Sequence, residues 1–231
     1  MEDLQHQVMG YDRAATMFAP DGHILQVEYA EKTVRLGSSS IGIVCKDGVV
    51  IVADKKQKDN LIFGGYPTKI NEIDEHIMVA SAGILSDARV LIDKAQLFAQ
   101  QNRIIYDSPA SVEAVVKEIA DIKQQFTQYG GARPFGVSLM IGGYKDEPEL
   151  FVTDVTGNYI RYKAWAIGEN DEKIREKLRE RYKEGLTCEE GIKLAISIFK
   201  EIQEEKFDKN KFDVGIIDSS KKLRILNASE F

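Results

Sequence analysis

The sequence contains few of the residues that metal sites and disulfide frameworks depend on. Its 231 residues include two cysteines and three histidines. Cys45 and Cys188 lie far apart and lack CxxC spacing, so we expect two reduced core residues and neither a zinc ribbon nor a disulfide. His6, His23 and His76 match no metal-binding motif, so no metal site is expected. A chain of this length can instead bury roughly 70% of its unfolded surface in a hydrophobic core.

Long apolar runs and a surplus of positive charge are also missing. No segment approaches the ~18 consecutive apolar residues of a membrane span, and the start of the chain has no signal-peptide pattern. Lysine and arginine number 31 against 37 acidic residues, a net charge of −6, and they are scattered among the acids. Nucleic-acid binding needs a basic face. We therefore expect a cytoplasmic globular protein that binds neither membranes nor nucleic acids.

The motifs of the commonest cofactor-binding and hydrolytic sites are absent as well. The sequence has no GxGxxG, GxxxxGK[ST] or GxSxG pattern, so no nucleotide or other cofactor is expected. Acidic clusters at residues 169–172 and 201–205 lie among lysines at predicted helix ends, which is typical of a solvated face.

Apolar residues are present in two alternating patterns, strand-like runs and helical stripes. Strands are predicted at 39–46, 49–54, 77–83, 136–142, 150–154, 159–166, 212–218 and 223–227, the first two forming a hairpin through Lys46-Asp47-Gly48. Helices are predicted after Ser86, after Ser108-Pro109, over 170–182 and after Thr187, which has capping-box spacing to Glu190. Strand blocks separated by helix pairs favour a layered α+β fold with face-to-face sheets and helices outside.

The first 35 residues differ in character from the rest. Residues 1–13 are polar and without periodicity, and we expect them to be mobile when the chain stands alone. Pro20-Asp21-Gly22 is a turn signal, and Asp21 is a candidate cap for a short helix that includes Ile24. The chain is therefore divided into an N-terminal segment, residues 1–35, and one sandwich domain, residues 36–231.

Several motifs along the chain resemble those of one protein family. At the N-terminus these are Tyr11-Asp12-Arg13 and Pro20-Asp21-Gly22-His23-Ile24-Leu25-Gln26-Val27-Glu28-Tyr29-Ala30. The others are Gly37-Ser38-Ser39, Ala53-Asp54-Lys55-Lys56, Ser81-Ala82-Gly83, Asp87-Ala88-Arg89 and Gln128-Tyr129-Gly130-Gly131-Ala132-Arg133-Pro134-Phe135-Gly136-Val137-Ser138-Leu139. Over nearly its whole length the chain is similar to proteasome α subunits of the archaeal type. The resemblance implies a four-layer αββα sandwich, the N-terminal-nucleophile hydrolase fold, and a seven-membered ring that caps the catalytic β rings.

The resemblance also implies a noncatalytic role in ATP-dependent protein degradation. The positions that match the family's axial gate are Tyr11, Asp12, Arg13, Pro20 and Tyr29. Those that match its docking pocket for the C-termini of a regulatory AAA ATPase are Lys69, Gly37, Ile84 and Glu28. Tyr129, Gly130 and Gly131 match the pore entrance loop, which admits only extended chains. The implied partners are other α subunits, β subunits, an ATPase unfoldase and unfolded protein substrates.

A catalytic alternative rests on the similarity of the sandwich to β subunits. Ser38 follows Gly37 at the place of the β-type nucleophilic threonine, Asp54 falls near the acidic partner, and Lys69 falls near the β lysine. A self-processed N-terminal-nucleophile hydrolase using Ser38 is therefore the alternative function, although an intact amide leaves no free amine to act as base. Membership of a eukaryotic mixed α ring is a third interpretation. Glu31-Lys32 departs from the family's common Arg-Glu, so ion pairing between subunits at this helix is not carried over.

Overall fold

Two five-stranded sheets lie at the centre of the molecule, with helices on both sides. The computed structural model describes residues 10–55, 61, 68–226 and 230–231. The helices are α1 (Leu25–Leu36), α2 (Leu85–Tyr106), α3 (Val112–Phe126), α4 (Asp171–Arg181) and α5 (Cys188–Gln203). The strands are β1 (Ser40–Val44), β2 (Gly48–Asp54), β3 (Ile70–Asp74), β4 (Ile77–Gly83), β5 (Val137–Tyr144), β6 (Pro148–Thr153), β7 (Tyr159–Arg161), β8 (Ala164–Ile167), β9 (Phe212–Asp218) and β10 (Leu223–Leu226).

All strand pairs in both sheets are antiparallel. The first sheet has the order β10-β9-β2-β1-β8 and the second the order β3-β4-β5-β6-β7. The hairpin predicted at Lys46-Asp47-Gly48 joins β1 to β2, and the amide of Cys45 donates to the carbonyl of Gly48 at 2.7 Å. Cys45 and Cys188 are both buried free thiols, as expected.

Strand β2 shows how one sequence run serves two cores. Val49, Ile51 and Ala53 pack between the two sheets, whereas Val50 and Val52 pack under the helices of the first sheet. Successive side chains of a strand point to opposite faces, so a continuous apolar run is what a strand covered on both faces requires. This strand therefore lies inside the sandwich.

The helix pairs complete the outer layers. The apolar stripe of α3, which includes Val115 and Ile119, packs with α2 against the second sheet. The stripe of α5, which includes Ile192 and Phe199, packs with α4 against the first sheet. The order of layers is thus helix, sheet, sheet, helix, and the α+β sandwich expected from the sequence is confirmed. None of the helices in the described ranges is long and apolar enough to cross a bilayer.

Three predicted helix starts are wrong. Helix α2 begins after Ile84 rather than Ser86, and the hydroxyl that caps α3 belongs to Ser111, which accepts from the amide of Ala114 at 3.2 Å, rather than to Ser108. Helix α1 begins after Ile24 without a side-chain cap, because the Asp21 carboxylate accepts instead from the amide of His23 at 3.2 Å. The capping box of Thr187 and Glu190 is confirmed.

Two strand predictions also need correction. The run 159–166 is not one strand: Tyr159–Arg161 pairs in the second sheet and Ala164–Ile167 in the first. The chain crosses between the sheets at Tyr162 and Lys163, where backbone bonds to Leu150 and Val44 hold one residue to each sheet. The edge strand Ile70–Asp74 was not predicted, since its alternation is broken by a bulge between Glu72 and Asp74.

Candidate functional site

The N-terminal segment enters the sandwich through a fixed turn. The amide of Ala19 donates to the carbonyl of His23 at 2.7 Å, and the amide of Gly22 donates to Ala19 at 2.8 Å. Gly22 has φ = 86°, a conformation that side-chain-bearing residues rarely adopt. The turn predicted at Pro20-Asp21-Gly22 is therefore present. Before it, Tyr11–Arg13 forms a single 3₁₀ turn that contacts α1, while residues 1–9 of the expected mobile tail lie outside the described residues.

Helix α1 carries several predicted site residues and is fixed to the sandwich. Tyr29 is half-buried, and the Lys32 ammonium lies 5.2 Å from the centre of its ring. The Glu28 carboxylate contacts the imidazole of His23, a residue of the turn that precedes α1. The Thr33 hydroxyl lies 2.8 Å from the carbonyl of Gly136, which joins the helix to the start of β5. The helix and the chain segment entering β5 are thus held together.

Where α1 ends, the chain packs backbone to backbone. A Cβ atom on Gly37 would come 2.3 Å from the amide nitrogen of Gly83, and one on Gly83 would come 2.2 Å from the carbonyl of Gly136. A Cβ atom on Gly168 would come 2.6 Å from the carbonyl of Ser38. We call these four residues, Gly37, Gly83, Gly136 and Gly168, the glycine seam. The seam brings the start of the sandwich within direct contact of three other chain segments.

Lys69 lies beside the seam and contacts the two serines that follow Gly37. Its ammonium donates to the carbonyl and to the hydroxyl of Ser38, the latter at 2.5 Å, and to the carbonyl of Ser39 at 3.3 Å. Of the predicted docking residues, the structure therefore brings Lys69 and Gly37 together. Ile84 directly follows Gly83 of the glycine seam, and its amide donates to the carbonyl of Gly136 at 2.9 Å. Glu28, the fourth predicted docking residue, contacts His23 instead.

Asp213 positions Lys69 and was not predicted from the sequence. Its carboxylate accepts from the amide of Lys69 at 2.8 Å and from the hydroxyl of Thr68 at 3.2 Å, and it forms an ion pair of 2.6 Å with Lys55. It is only 6% exposed. The available signal was an acid directly after Phe212 at the start of β9, at the position that pairs with Ala53 in β2.

The cluster has the parts of a nucleophile site without its base. Ser38 and Lys69 are in contact, and the amide of Asp54 donates to Ser39 at 3.0 Å. The Asp54 carboxylate accepts from the Gln203 side chain at 2.7 Å. A cavity of about 420 Å³ opens beside Ser39 and Asp54. While Gly37 is bonded to Ser38, the Ser38 nitrogen is an amide and cannot accept a proton as an N-terminal amine does.

The predicted entrance loop leaves α3 and returns at β5. Tyr129 is 62% exposed, and Cβ atoms on Gly130 or Gly131 would meet no other atom within 4 Å. Gly131 has φ = 88°, so only this second glycine needs a left-handed backbone. At the base of the loop the rings of Phe126 and Phe135 lie 4.6 Å apart. The loop therefore projects a short tip from a packed base.

An ion pair fixes the returning side of this loop. The guanidinium of Arg133 donates to both carboxylate oxygens of Asp87, at 2.6 and 2.7 Å, and the amide of Gly136 donates to the same carboxylate at 2.9 Å. Burial opposes ionisation of Asp87, but the bonds from Arg133 and Gly136 outweigh it and hold the pKa of this carboxyl below its usual value. The first turn of α2 thus anchors the loop.

The comparisons with known proteins agree with the motifs in the sequence. A family sequence model described as "Proteasome subunit" matches residues 34–217, and a model of the N-terminal signature of A-type proteasome subunits matches residues 11–32. The chain is 47% identical over 214 residues to the proteasome alpha 2 subunit of Haloarcula marismortui, covering 92% of this chain and 88% of the relative. It is 44% identical over 209 residues to the proteasome alpha subunit of Archaeoglobus fulgidus, covering 90% and 85%. For the proteasome alpha subunit of Pyrococcus abyssi the identity is 43% over 222 residues, covering 96% and 85%.

These matches span the N-terminal signature and the sandwich and confirm the resemblance seen in the motifs. The chain therefore belongs to the proteasome α-subunit family, whose members form the noncatalytic rings of the particle, while the threonine protease activity of the particle lies in the β subunits.

Proposed function

We propose that this chain forms the axial entrance of its ring, controls the passage of unfolded proteins to the β subunits, and binds the C-termini of a regulatory ATPase. Residues 1–35 supply the gate in this proposal, and residues 36–231 supply the ring scaffold in the cytoplasm. Tyr11, Asp12, Arg13, Pro20 and Tyr29 act in the gate. Lys69, Gly37, Ile84 and Glu28 act in docking, and Tyr129, Gly130 and Gly131 act in the entrance loop.

The observation that carries the gating proposal is the contact of the Thr33 hydroxyl, which lies between the carbonyls of Ala30 and Gly136 at 2.7 and 2.8 Å. It links α1, which bears the N-terminal segment, to the chain that returns from the entrance loop. Because α1 and the returning end of the loop are held to each other, the bases of the N-terminal segment and of the loop keep a constant spacing in every copy of the chain. In a ring, repeated copies of this pair surround one axis, and the two features act on the same opening.

The docking proposal is supported by the chemistry around Lys69. The Lys69 ammonium lies beside the carbonyls of Ser38 and Ser39, and a C-terminal carboxylate that takes the place of one of these neutral oxygens gains a charge-assisted hydrogen bond. No nucleotide motif occurs in the chain, so an unfolding step driven by ATP requires a separate protein.

Deleting residues 2–13 tests the gate. The assembled α and β particle lacking these residues should hydrolyse a short fluorogenic peptide several-fold faster than the full-length particle, because passage rather than cleavage limits the rate. The number of active β sites is equalised by titration with a covalent threonine-directed inhibitor. Equal peptide hydrolysis per active site in both particles would show that the N-terminal segment is not the gate.

A further inference from the structure

Lys123 is a charged side chain with no exposed surface. It lies on α3 at 0% exposure, and its ammonium donates to three oxygens. These are the carbonyl of Val137 at 2.9 Å, the hydroxyl of Thr153 at 2.8 Å and the carbonyl of Asp154 at 2.9 Å. An ammonium has three N–H donors, so this arrangement uses every one of them.

The three acceptors lie on strand β5, on strand β6 and in the turn that follows β6. Lys123 is three residues before the end of α3, where the loop begins, and Val137 is the first residue of β5, where the loop ends. Thr153 is the last residue of the neighbouring strand β6, and Asp154 follows it. The Thr153 carbonyl also accepts from the hydroxyl of Ser138 at 2.8 Å. One side chain therefore connects both ends of the loop to the sheet.

The turn after β6 packs closely against the same part of α3. A Cβ atom on Gly157 would come 2.3 Å from the carbonyl of Ala120, one turn before Lys123. The Asp154 carboxylate accepts from the amides of Thr156 and Asn158 at 2.8 and 3.0 Å, which fixes the turn. The acceptors of Lys123 are thus held in place independently of the lysine.

The charged side chain near this ammonium is Asp154, and Glu31 interacts with Asp154 rather than with the lysine. Burial lowers the pKa of Lys123 to about 7, and the negative charge of Asp154, in the turn after β6, opposes that shift. Glu31 on α1 faces Asp154 in turn, and its own pKa is raised by burial and by that carboxylate. On the β5 side, the ammonium of Lys123 contacts the neutral carbonyl of Val137.

We propose that Lys123 is a positioning residue for the entrance loop: its ammonium holds the two ends of residues 127–136 together and keeps the tip at a fixed place in the opening. The expected effect on the passage of substrates rests on the proposed function. The positioning of the loop itself rests on the contacts of Lys123 within one chain. A neutral lysine has two N–H donors for three acceptors, so loss of the proton loosens the loop.

Amide hydrogen exchange in the assembled particle tests the positioning directly. In Lys123→Met, which keeps an unbranched side chain but removes all three donors, exchange in residues 127–136 should rise roughly tenfold or more while β9 is unchanged. The matched control is Lys117→Met on the same helix, where the lysine is exposed and pairs with Asp121. An unchanged loop in Lys123→Met would overturn the proposal.

The pH profile separates positioning from general stability. In the unaltered particle, loop exchange divided by the rate of an unstructured peptide at the same pH should increase as pH rises through about 7, because the ammonium is lost there. Lys117→Met should retain this step. If Lys123→Met does not assemble, Thr153→Val, which removes one of the three acceptors, takes its place in the exchange experiment, and an unchanged loop in that variant overturns the proposal.

A passage assay distinguishes failure of this inference from failure of the proposed function. In particles lacking residues 2–13, Lys123→Met should speed degradation of a polypeptide closed into a cross-linked loop, with short-peptide hydrolysis unchanged. Faster loop exchange without that gain would leave the positioning role intact and contradict the role of the loop as the constriction.

Discussion

At Lys69, one ammonium is hydrogen-bonded to three oxygens of two consecutive residues. Burying donors and acceptors is favourable only when they are paired, and here Lys69 pairs the serines that begin the sandwich while Asp213 pairs the lysine amide. The Lys69 side chain thus stabilises the fold of the isolated chain. In the proposed function an incoming carboxylate replaces one of these oxygens on the ammonium.

Replacing Lys69 tests the docking proposal. Lys69→Ala should abolish ATPase-stimulated protein degradation, because the incoming carboxylate loses its charged partner, while ring assembly and unstimulated peptide hydrolysis persist. The measurement is the ratio of stimulated to unstimulated rates. Lys117→Ala, which alters an exposed lysine on α3, serves as the control, and survival of full stimulation in Lys69→Ala would contradict docking at this pocket.

Individual residues were predictable where the chain itself carried a pattern. Lys69 and the serines came from motifs, but Asp213 did not, because its role depends on the pairing of β2 with β9, which are separated by more than 150 residues. Lys123 was also not predicted. Its position on a helix gives no sign that three oxygens, from two strands and the turn after β6, meet it.

Among the elements, helix α2 shows how a cap can be misread. Ser86 has the right residue type, but the helix already begins at Leu85, and the acid of its first turn, Asp87, is bonded outward to Arg133 and Gly136. The capping box of α5 was predictable because both of its partners lie within four residues. Local signals succeed when the partner is local and fail when it comes from another element.

Asp87→Asn tests the anchor between α2 and the entrance loop. The free energy of unfolding of the ring at pH 7 should fall by about 1 to 2 kcal/mol, a range reduced because Arg133 is more than half exposed. Since the folded pKa of Asp87 is lowered, its contribution is complete above the unfolded value of about 3.9 and is lost as pH falls through the lower folded value.

Urea unfolding at neutral and acidic pH measures this difference. The control is Asp93→Asn on the same helix, where the carboxylate is exposed and 3.8 Å from Arg89, and it should change stability little. Equal losses in the two variants, or a loss from Asp87→Asn that does not shrink in acid, would refute the anchor.

For the whole molecule, the layer order could be read from the sequence, whereas the exposed surface could not. Helix α2 ends with Ile104, Ile105 and Tyr106, which are between 69 and 83% exposed, and Leu97, two turns before Ile104 on the same face, is 50% exposed. Apolar side chains grouped in this way are typical of surfaces that are covered in an assembly. A family of ring subunits accounts for them, and for a net charge of −6 that keeps a large particle soluble.

Electron microscopy of the purified chain tests the ring. We expect rings with sevenfold symmetry, and stacked particles when β subunits of the same source are added. The control is the chain with Ile104 and Ile105 both changed to Lys, which should remain folded by circular dichroism and stack less. A chain that stays monomeric at micromolar concentration with or without β subunits would contradict the assembly.

The glycine seam places a limit on how this sequence can change over time. At Gly37, Gly83 and Gly168 the space of a methyl group is already occupied by backbone atoms of another segment, so no neighbouring side chain can shrink to make room. A smaller side chain elsewhere does not relieve such a substitution, because the atoms in the way belong to the backbone. The join between α1 and the sandwich therefore accepts a side chain at these positions only if the packed segments move apart.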